Sequence, residues 1–205
     1  VVVPGNHDIP LYDLLRRATR PRERFRRFIT TDRAPFVEAG GVAVLGLDTS
    51  RPEVWKNGEL SSADVREIRE RLEAVPADVL KVVVTHHPFV PPPGHPEARI
   101  VVGARRALAA ASECGVDLLL SGHRHAAHRA DVRTAHPETA RGMLLVMAGT
   151  ATSHRRRDEP NSWTAIDGGT GGLTVTDRVW DGDGFAPQRP AAYAREGHVW
   201  SQTRA

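Results

Sequence analysis

Cysteine and long apolar runs are scarce in this sequence of 205 residues, and each scarcity excludes a class of protein or site. Cys114 is the only cysteine, so both an intramolecular disulfide and a cysteine-based zinc site are excluded. No run approaches the roughly 18 apolar residues of a membrane span, and we therefore expect no membrane partner. These absences predict a soluble domain, and the lack of disulfide pairing favours a cytoplasmic location.

An excess of one charge is also lacking. The 28 basic residues are nearly balanced by 25 acidic residues, which leaves a net charge of +3. Because so small an excess creates no strong field for a polyanion, the composition disfavours nucleic acid as a partner. The composition does not indicate an oligomeric state.

The apolar residues, 40% of the chain, are enough for one substantial core. Short apolar runs alternate with helical patterns, which is typical of an α/β protein with buried strands. The predicted strands cover residues 1–3, 42–47, 82–84, 118–120, 144–148, 163–166 and 173–180. Two short helices are predicted within 11–29, one after a capping box at Ser61 and Asp64, and one over 104–114 that Gly115 ends.

Three polar clusters each follow one of the predicted strands. They are Gly5-Asn6-His7-Asp8, His86-His87-Pro88 and Gly122-His123-Arg124-His125. Five of the ten histidines lie in these clusters. The carboxyl ends of strands in α/β sheets are where ligands bind, since the loops converge there. Imidazole and amide groups suit Mn, Fe or Zn, so we expect a transition-metal site, completed by aspartates because neutral ligands alone balance divalent ions poorly.

The clusters, in this order, resemble the later motifs of the calcineurin-like metallophosphoesterase superfamily. Residues 149–153 and 160–162 are further similar to its bacterial cyclic-nucleotide-phosphodiesterase-like branch. The resemblance implies an α/β fold in four layers, an α/β/β/α sandwich of two mixed β-sheets. It also implies a centre of two divalent metal ions, Mn, Fe or Zn.

The resemblance assigns metal ligands residue by residue. Asn6, His86 and His123 correspond to ligands of one ion, and His125 corresponds to a ligand of the other. We prefer His86 to His87 in the tandem pair because His86 follows the strand directly. His128 matches no position of the family pattern and is not counted as a ligand.

The same resemblance assigns two catalytic residues. His7 corresponds to the residue that contacts the substrate phosphate, and Asp8 to the partner that orients its imidazole. The implied reaction is metal-dependent hydrolysis of a small-molecule phosphoester, such as a cyclic nucleotide, by a hydroxide that bridges the two ions. A nuclease or nucleotide pyrophosphatase is the alternative within this class, and the charge balance disfavours a long nucleic-acid substrate.

In the family, D-x-H and G-D motifs precede G-N-H-D, where this sequence has only residues 1–4. We therefore expect an N-terminally truncated domain over 1–181 that lacks its first strands, helices and metal-ligand motifs, followed by a Pro/Arg/Ala-rich tail over 182–205. A truncated, inactive remnant is the competing interpretation. The role of the arginine run 155–157 stays open, since it either binds phosphate or is a solvated surface. The segment 91–94 is predicted to form a stiff loop.

Overall fold

The structure is a computed structural model that describes residues 1–92, 95, 98–154 and 159–203. The described α-helices are α1 (Leu14–Thr19), α2 (Glu23–Phe28), α3 (Ser62–Leu72) and α4 (Ala104–Glu113). The described strands are β1 (Phe36–Ala39), β2 (Val42–Leu47), β3 (Leu80–Thr85), β4 (Leu118–Ser121), β5 (His128–Asp131), β6 (Leu144–Met147), β7 (Ser162–Gly169), β8 (Gly172–Trp180), β9 (Phe185–Pro187), β10 (Ala191–Glu196) and β11 (Val199–Gln202).

The first sheet has six strands in the order β1-β2-β3-β4-β6-β5. Strands β2, β3, β4 and β6 are parallel to one another, and the two edge strands are antiparallel to their neighbours. The register aligns Val83 with Leu119 and Leu120 with Val146. The carboxyl ends of the four parallel strands therefore lie along one edge of the sheet, as the sequence predicted.

The second sheet is antiparallel throughout, in the order β11-β10-β8-β7 with β9 paired to β8. The resemblance implied a mixed sheet here. The difference follows from chain connection, because consecutive strands joined by short turns can pair only antiparallel. Residues 182–203, which the composition predicts to be a tail, instead form three strands of this sheet, and Trp200 is buried in its core.

Two hydrophobic cores account for the layers. One lies between the first sheet and the helices α3 and α4, and includes Leu45, Ile68 and Leu108. The other lies between the two sheets, where Val82 and Leu144 pack with Trp200 and their neighbours. The α/β fold class is confirmed. The described residues form three of the four implied layers, which are helices α3 and α4, the first sheet and the second sheet. No described helix is both long and apolar enough to cross a bilayer.

The helix predictions are confirmed at their ends. Ser61 and Asp64 form the predicted capping box: the Asp64 amide donates to the Ser61 hydroxyl at 3.3 Å, and the Ser61 amide donates to the Asp64 carboxylate at 2.7 Å. Helix α4 ends just before Gly115, and two short helices occupy the 11–29 segment.

The prediction of a strand over residues 1–3 is wrong. This segment forms no strand, and β1 occupies the sheet edge beside β2 instead. The side chains of Val1 and Val3 lie against Gly46 of β2, where a β-carbon would leave them no room. An apolar run of three residues therefore packs on the sheet without joining it.

Candidate metal centre

Three segments bring the predicted ligands together at the carboxyl edge of the first sheet. Asn6, His7 and Asp8 form a single 3-10 turn, His86 follows β3, and His123 lies in the loop after β4. The Gly122 amide donates to the His86 carbonyl at 3.1 Å, and this bond ties the two histidine loops to each other. Chain segments about 80 residues apart thus meet in one place.

The polar atoms of this centre are close to one another. The Asn6 side-chain oxygen lies 3.0 Å from His86 Nε2, and His86 Nε2 lies 3.1 Å from His123 Nδ1. Ligand atoms of His86, His87 and His123 all lie within 4.8 Å of one another. Two adjacent ligands of an ion bonded at about 2.1 Å are separated by about 3 Å when they subtend a right angle at it. The donor set and its spacing therefore fit a divalent transition metal.

His87 is part of this group, although the sequence interpretation preferred His86. Its side chain is only 2% exposed, and Nδ1 lies 2.8 Å from the Thr49 hydroxyl. Its Nε2 is buried with no hydrogen-bond partner among the described residues. A buried nitrogen without a partner is costly unless an ion or water satisfies it, so His87 is a further candidate ligand. The assignment of His86 stays a prediction.

The two tandem imidazoles are neutral in the folded chain. Burial, followed by the nearby His123, His7 and His125, lowers the pKa of His86 to about 3. Burial, followed by His86 and His123, also lowers the pKa of His87 to about 3. A histidine must be neutral to bind a metal ion through its ring nitrogen. Both side chains are therefore ready to bind at neutral pH without losing a proton.

The loop after β4 holds two histidines in an unusual backbone conformation. His123 has a φ of 70° and His125 a φ of 58°, both in the left-handed region. This conformation is uncommon for residues other than glycine, and it costs on the order of 1–3 kcal/mol per residue. Such backbone strain clusters at functional sites. His123 and His125 both line the same cleft, as does Arg124 between them.

The turn that carries Asn6 packs tightly against the histidines. The Asp8 carboxylate accepts a hydrogen bond from the Gly5 amide at 2.7 Å, and the Asp8 amide donates back to the Gly5 carbonyl. A β-carbon at Gly5 would lie 2.8 Å from the His86 ring. Glycine is therefore required here so that the turn can approach His86. Asp8 fixes the turn, and its predicted action on the His7 ring stays a prediction.

A cleft of about 770 Å³ opens over this centre. Asn6, His86 and His123 line it together with His7 and His125. His125 is thus placed in the cleft, outside the group of three close imidazoles. The cleft brings together every predicted site residue except Asp8, which lies in the supporting turn.

The cleft is also lined by residues that the sequence interpretation did not single out. Trp55, Lys56, Arg99 and Arg124 supply an aromatic ring and three cationic groups. Of the described residues that line the cleft, none carries a carboxylate. Trp55, Lys56 and Arg99 lie on loops outside the predicted motifs, whereas Arg124 stands between His123 and His125 inside one of them. The surroundings suit an anionic ligand.

Two minor interpretations cannot be placed in this geometry. The arginine run 155–157 lies outside the described residues, as do the last two residues of the 91–94 loop. The loop of residues 149–153 is described, and Asn161 ties it down by donating to the carbonyls of Thr150 and Ser153.

Comparison with known proteins identifies the family of this chain. The sequence profile of the calcineurin-like phosphoesterase family matches residues 1–127, more than half of the chain. The chain therefore belongs to the calcineurin-like phosphoesterase family, whose members are metal-dependent phosphoester hydrolases. The matched region contains all the predicted site residues.

The structure titled "GAP50 the anchor in the inner membrane complex of Plasmodium" aligns with a TM-score of 0.46 at 12% sequence identity. The alignment covers 76% of this chain and 54% of that chain, so this chain spans about half the length of that protein. No curated protein matches the sequence.

Proposed function

We propose that this chain carries the phosphate-binding side of a two-metal phosphodiesterase that acts on small-molecule substrates. The observation that carries the proposal is the convergence of Asn6, His86 and His123, with donor atoms 3.0–3.1 Å apart. Membership of the calcineurin-like phosphoesterase family supports hydrolysis of a phosphoester. The cationic lining of the cleft supports an anionic substrate.

Each residue has a role in this proposal. Asn6, His86 and His123 hold one divalent ion as neutral ligands, and His125 contributes to a second. When bound, the ions supply Lewis-acid polarisation of the phosphoryl oxygens and activation of the attacking water.

His7 acts on the substrate directly. It lies in the cleft beside the ligands, where its imidazole can donate to a phosphoryl oxygen or protonate the departing alkoxide. Asp8 holds the turn in place through the Gly5 amide, and in this way keeps His7 at the mouth of the centre. Pre-organised donors of this kind lower the barrier because they need no reorganisation during the reaction.

The proposal is tested with a generic aryl phosphodiester. Purified full-length protein with added Mn²⁺, Fe²⁺ or Zn²⁺ should hydrolyse bis(p-nitrophenyl) phosphate, and a chelator should abolish the reaction. An Asn6→Ala change should lower kcat/KM by about 100-fold, since removing a ligand weakens metal binding at least as much as removing its supporting contacts does. Hydrolysis that is absent with every metal, or that survives the chelator, would contradict the proposal.

The number of ions is tested separately. Titration calorimetry of the full-length protein should give two binding events, and Asn6→Ala should weaken one of them. His125→Ala should weaken the other. Binding of a single ion, with His125→Ala indistinguishable from the unchanged protein, would contradict the assignment of His125.

A further inference from the structure

Trp55 stands at the edge of the candidate metal cleft, on the segment between β2 and α3. Its side chain is 50% exposed, although indole is among the most favourable side chains to bury. It lines the same cleft as Asn6, His7 and His86. An exposed tryptophan beside a phosphate-directed centre requires an explanation that packing alone does not provide.

Arg17 holds this indole in place. The Arg17 side chain is only 5% exposed, and it donates hydrogen bonds to the carbonyls of Pro10, Pro52 and Val54 at 3.0, 2.7 and 3.2 Å. Its guanidinium carbon lies 4.3 Å from the centre of the Trp55 ring. One arginine therefore connects the segment after the His7 turn to the residues that directly precede Trp55.

This support fixes the orientation of the ring. Stacking of a guanidinium on indole is favourable, and the three hydrogen bonds leave Arg17 little freedom to move. Because the ring is ordered before any ligand arrives, a stacking partner meets little further loss of side-chain entropy. The indole is thus a rigid flat surface with one side supported and about half of its area open.

The rest of the cleft determines what can lie on that surface. Lys56 and Arg99 add positive charge, and no carboxylate lines the cleft among the described residues. A ligand that places an anionic phosphate at the histidines and a planar group at Trp55 satisfies both regions. An aliphatic alcohol would leave the indole uncovered.

We propose that Trp55, positioned by Arg17, is the platform on which a planar aromatic group of the substrate stacks, and that it selects aromatic over aliphatic phosphoesters. The proposal rests on the proposed function for the identity of the anionic end alone. A nucleobase and a simple phenyl ring share this chemistry. Arg17 acts as a positioning residue, since it reaches the substrate only through the indole.

The test compares two ligands that share a sugar phosphate. In the presence of Mn²⁺, adenosine 5′-monophosphate should bind about tenfold more tightly than ribose 5-phosphate, since stacking one base on an aromatic side chain contributes an advantage of this size. Trp55→Ala should remove that advantage and leave the affinity for ribose 5-phosphate unchanged. Trp55→Phe should keep most of it. Equal affinities in the unchanged protein, or an advantage that survives Trp55→Ala, would overturn the proposal.

Phenyl phosphate separates the two sources of the ring. A phenyl phosphate affinity close to that of the nucleotide indicates that any aromatic ring suffices, and a weaker affinity indicates that a nucleobase is preferred. Either result supports stacking provided that Trp55→Ala abolishes the advantage over ribose 5-phosphate. If neither phosphate binds, quenching of tryptophan fluorescence by adenosine decides the matter. Quenching should be larger in the unchanged protein than in Trp55→Phe, and equal quenching would overturn the platform.

Arg17 is tested through the ratio of the two affinities. Arg17→Lys keeps the charge but removes the planar fork, so the ratio of nucleotide to sugar-phosphate affinity should fall. Arg20→Lys, on the exposed neighbour, is the matched control and should leave the ratio unchanged. A variant that lowers both affinities equally would assign Arg17 a purely structural role and contradict its positioning role.

Failure of this proposal and failure of the proposed function are distinguishable. If nucleotide binding depends on Trp55 but no phosphoester is hydrolysed, the platform stands and the enzymatic proposal fails. If hydrolysis proceeds equally on matched aromatic and methyl phosphodiesters, the enzyme stands and the platform fails.

Discussion

The polar side chains at the two ends of strands β3 and β4 differ in the partners that surround them. At the amino end, Asp117 and Lys81 are buried, and the Asp117 carboxylate and the Lys81 ammonium both have hydrogen-bond partners. At the carboxyl end, His86, His87 and His123 are crowded together, and one of their buried nitrogens has no partner among the described residues. The charged groups of Asp117 and Lys81 at one end of these strands are therefore paired, whereas at the other end the His87 Nε2 has no partner among the described residues.

The amino-end network connects all the layers. Asp117 accepts a hydrogen bond from the Lys81 amide at 3.1 Å and pairs with Arg141 at 2.7 Å and with Arg195 of the second sheet. The Lys81 ammonium donates to the carbonyls of Leu72 and Cys114, which end α3 and α4. These contacts join both helices and both sheets, so this end contributes to stability.

The carboxyl-end cluster gains little stability for itself. Burial, together with neighbouring histidines, lowers the pKa of His86 and that of His87 to about 3, and the backbone of His123 lies in the left-handed region. Close polar groups without full bonding are characteristic of sites that bind a ligand or an ion. The contrast teaches that a buried nitrogen without a partner indicates an ion site where other potential ligands surround it, as His86 and His123 surround His87.

The largest expected effect is at the amino end. Asp117→Ala should lower the free energy of unfolding by about 3–5 kcal/mol, because it leaves Arg141 and Arg195 without their buried partner. Urea denaturation measures the change, with the exposed Asp183→Ala as the control. A loss below about 1 kcal/mol would mean that the two ends do not differ in their contribution to stability.

His86→Ala should reduce activity much more than stability. We expect kcat/KM on an aryl phosphodiester to fall by about 100-fold, equivalent to about 2.7 kcal/mol, since a metal ligand is removed. The free energy of unfolding of the metal-free protein should change much less than in Asp117→Ala. Steady-state kinetics and urea denaturation measure the two quantities, and the exposed His198→Ala is the matched control. A large loss of stability without loss of activity would reverse the comparison.

Gly5→Ala tests the close approach of the Asn6 turn. Its β-carbon would lie 2.8 Å from the His86 ring and would push the imidazole out of place. We expect metal affinity to fall about tenfold, measured by calorimetry, because ligand orientation is disturbed while every ligand remains. Gly184→Ala, where an added β-carbon meets nothing within 4 Å, should leave the affinity unchanged.

The smallest effect concerns pH. The pKa of His86 and that of His87 are about 3 in the folded chain and about 6.5 when unfolded. Below pH 6.5 the unfolded chain therefore binds protons that the folded chain does not, and stability falls as the pH falls toward 3. Between pH 6.5 and 5.5 each histidine should contribute a loss of about 1 kcal/mol in metal-free protein.

Denaturation at both pH values measures this loss, and comparison with a His86→Asn, His87→Asn double variant isolates it. The double variant should lose less stability over this interval than the unchanged protein. An equal loss in the two proteins would show that these imidazoles are not held neutral by burial, and would weaken the contrast with the amino end.

Much of the first sheet and its helices followed from sequence patterns. Apolar runs and the capping box at Ser61 predicted β2, β3, β4, β6, α3 and α4 closely, because buried parallel strands and capped helices leave strong local signals. Strand β5 was missed because His128–Asp131 is polar and only half-buried. The strands after residue 181 were missed because their proline and arginine content is typical of a tail.

By itself, the sequence determined which chemical groups the site contains, since Asn6, His7, His86, His123 and His125 occur in ordered motifs that the family shares. Tertiary structure alone decided which of them touch, that His87 is buried among them, and that Trp55 lies at the same cleft on the support of Arg17. The physical reason is that motifs record local chemistry. Distances between loops depend on strand order and register, and no short stretch of sequence contains them.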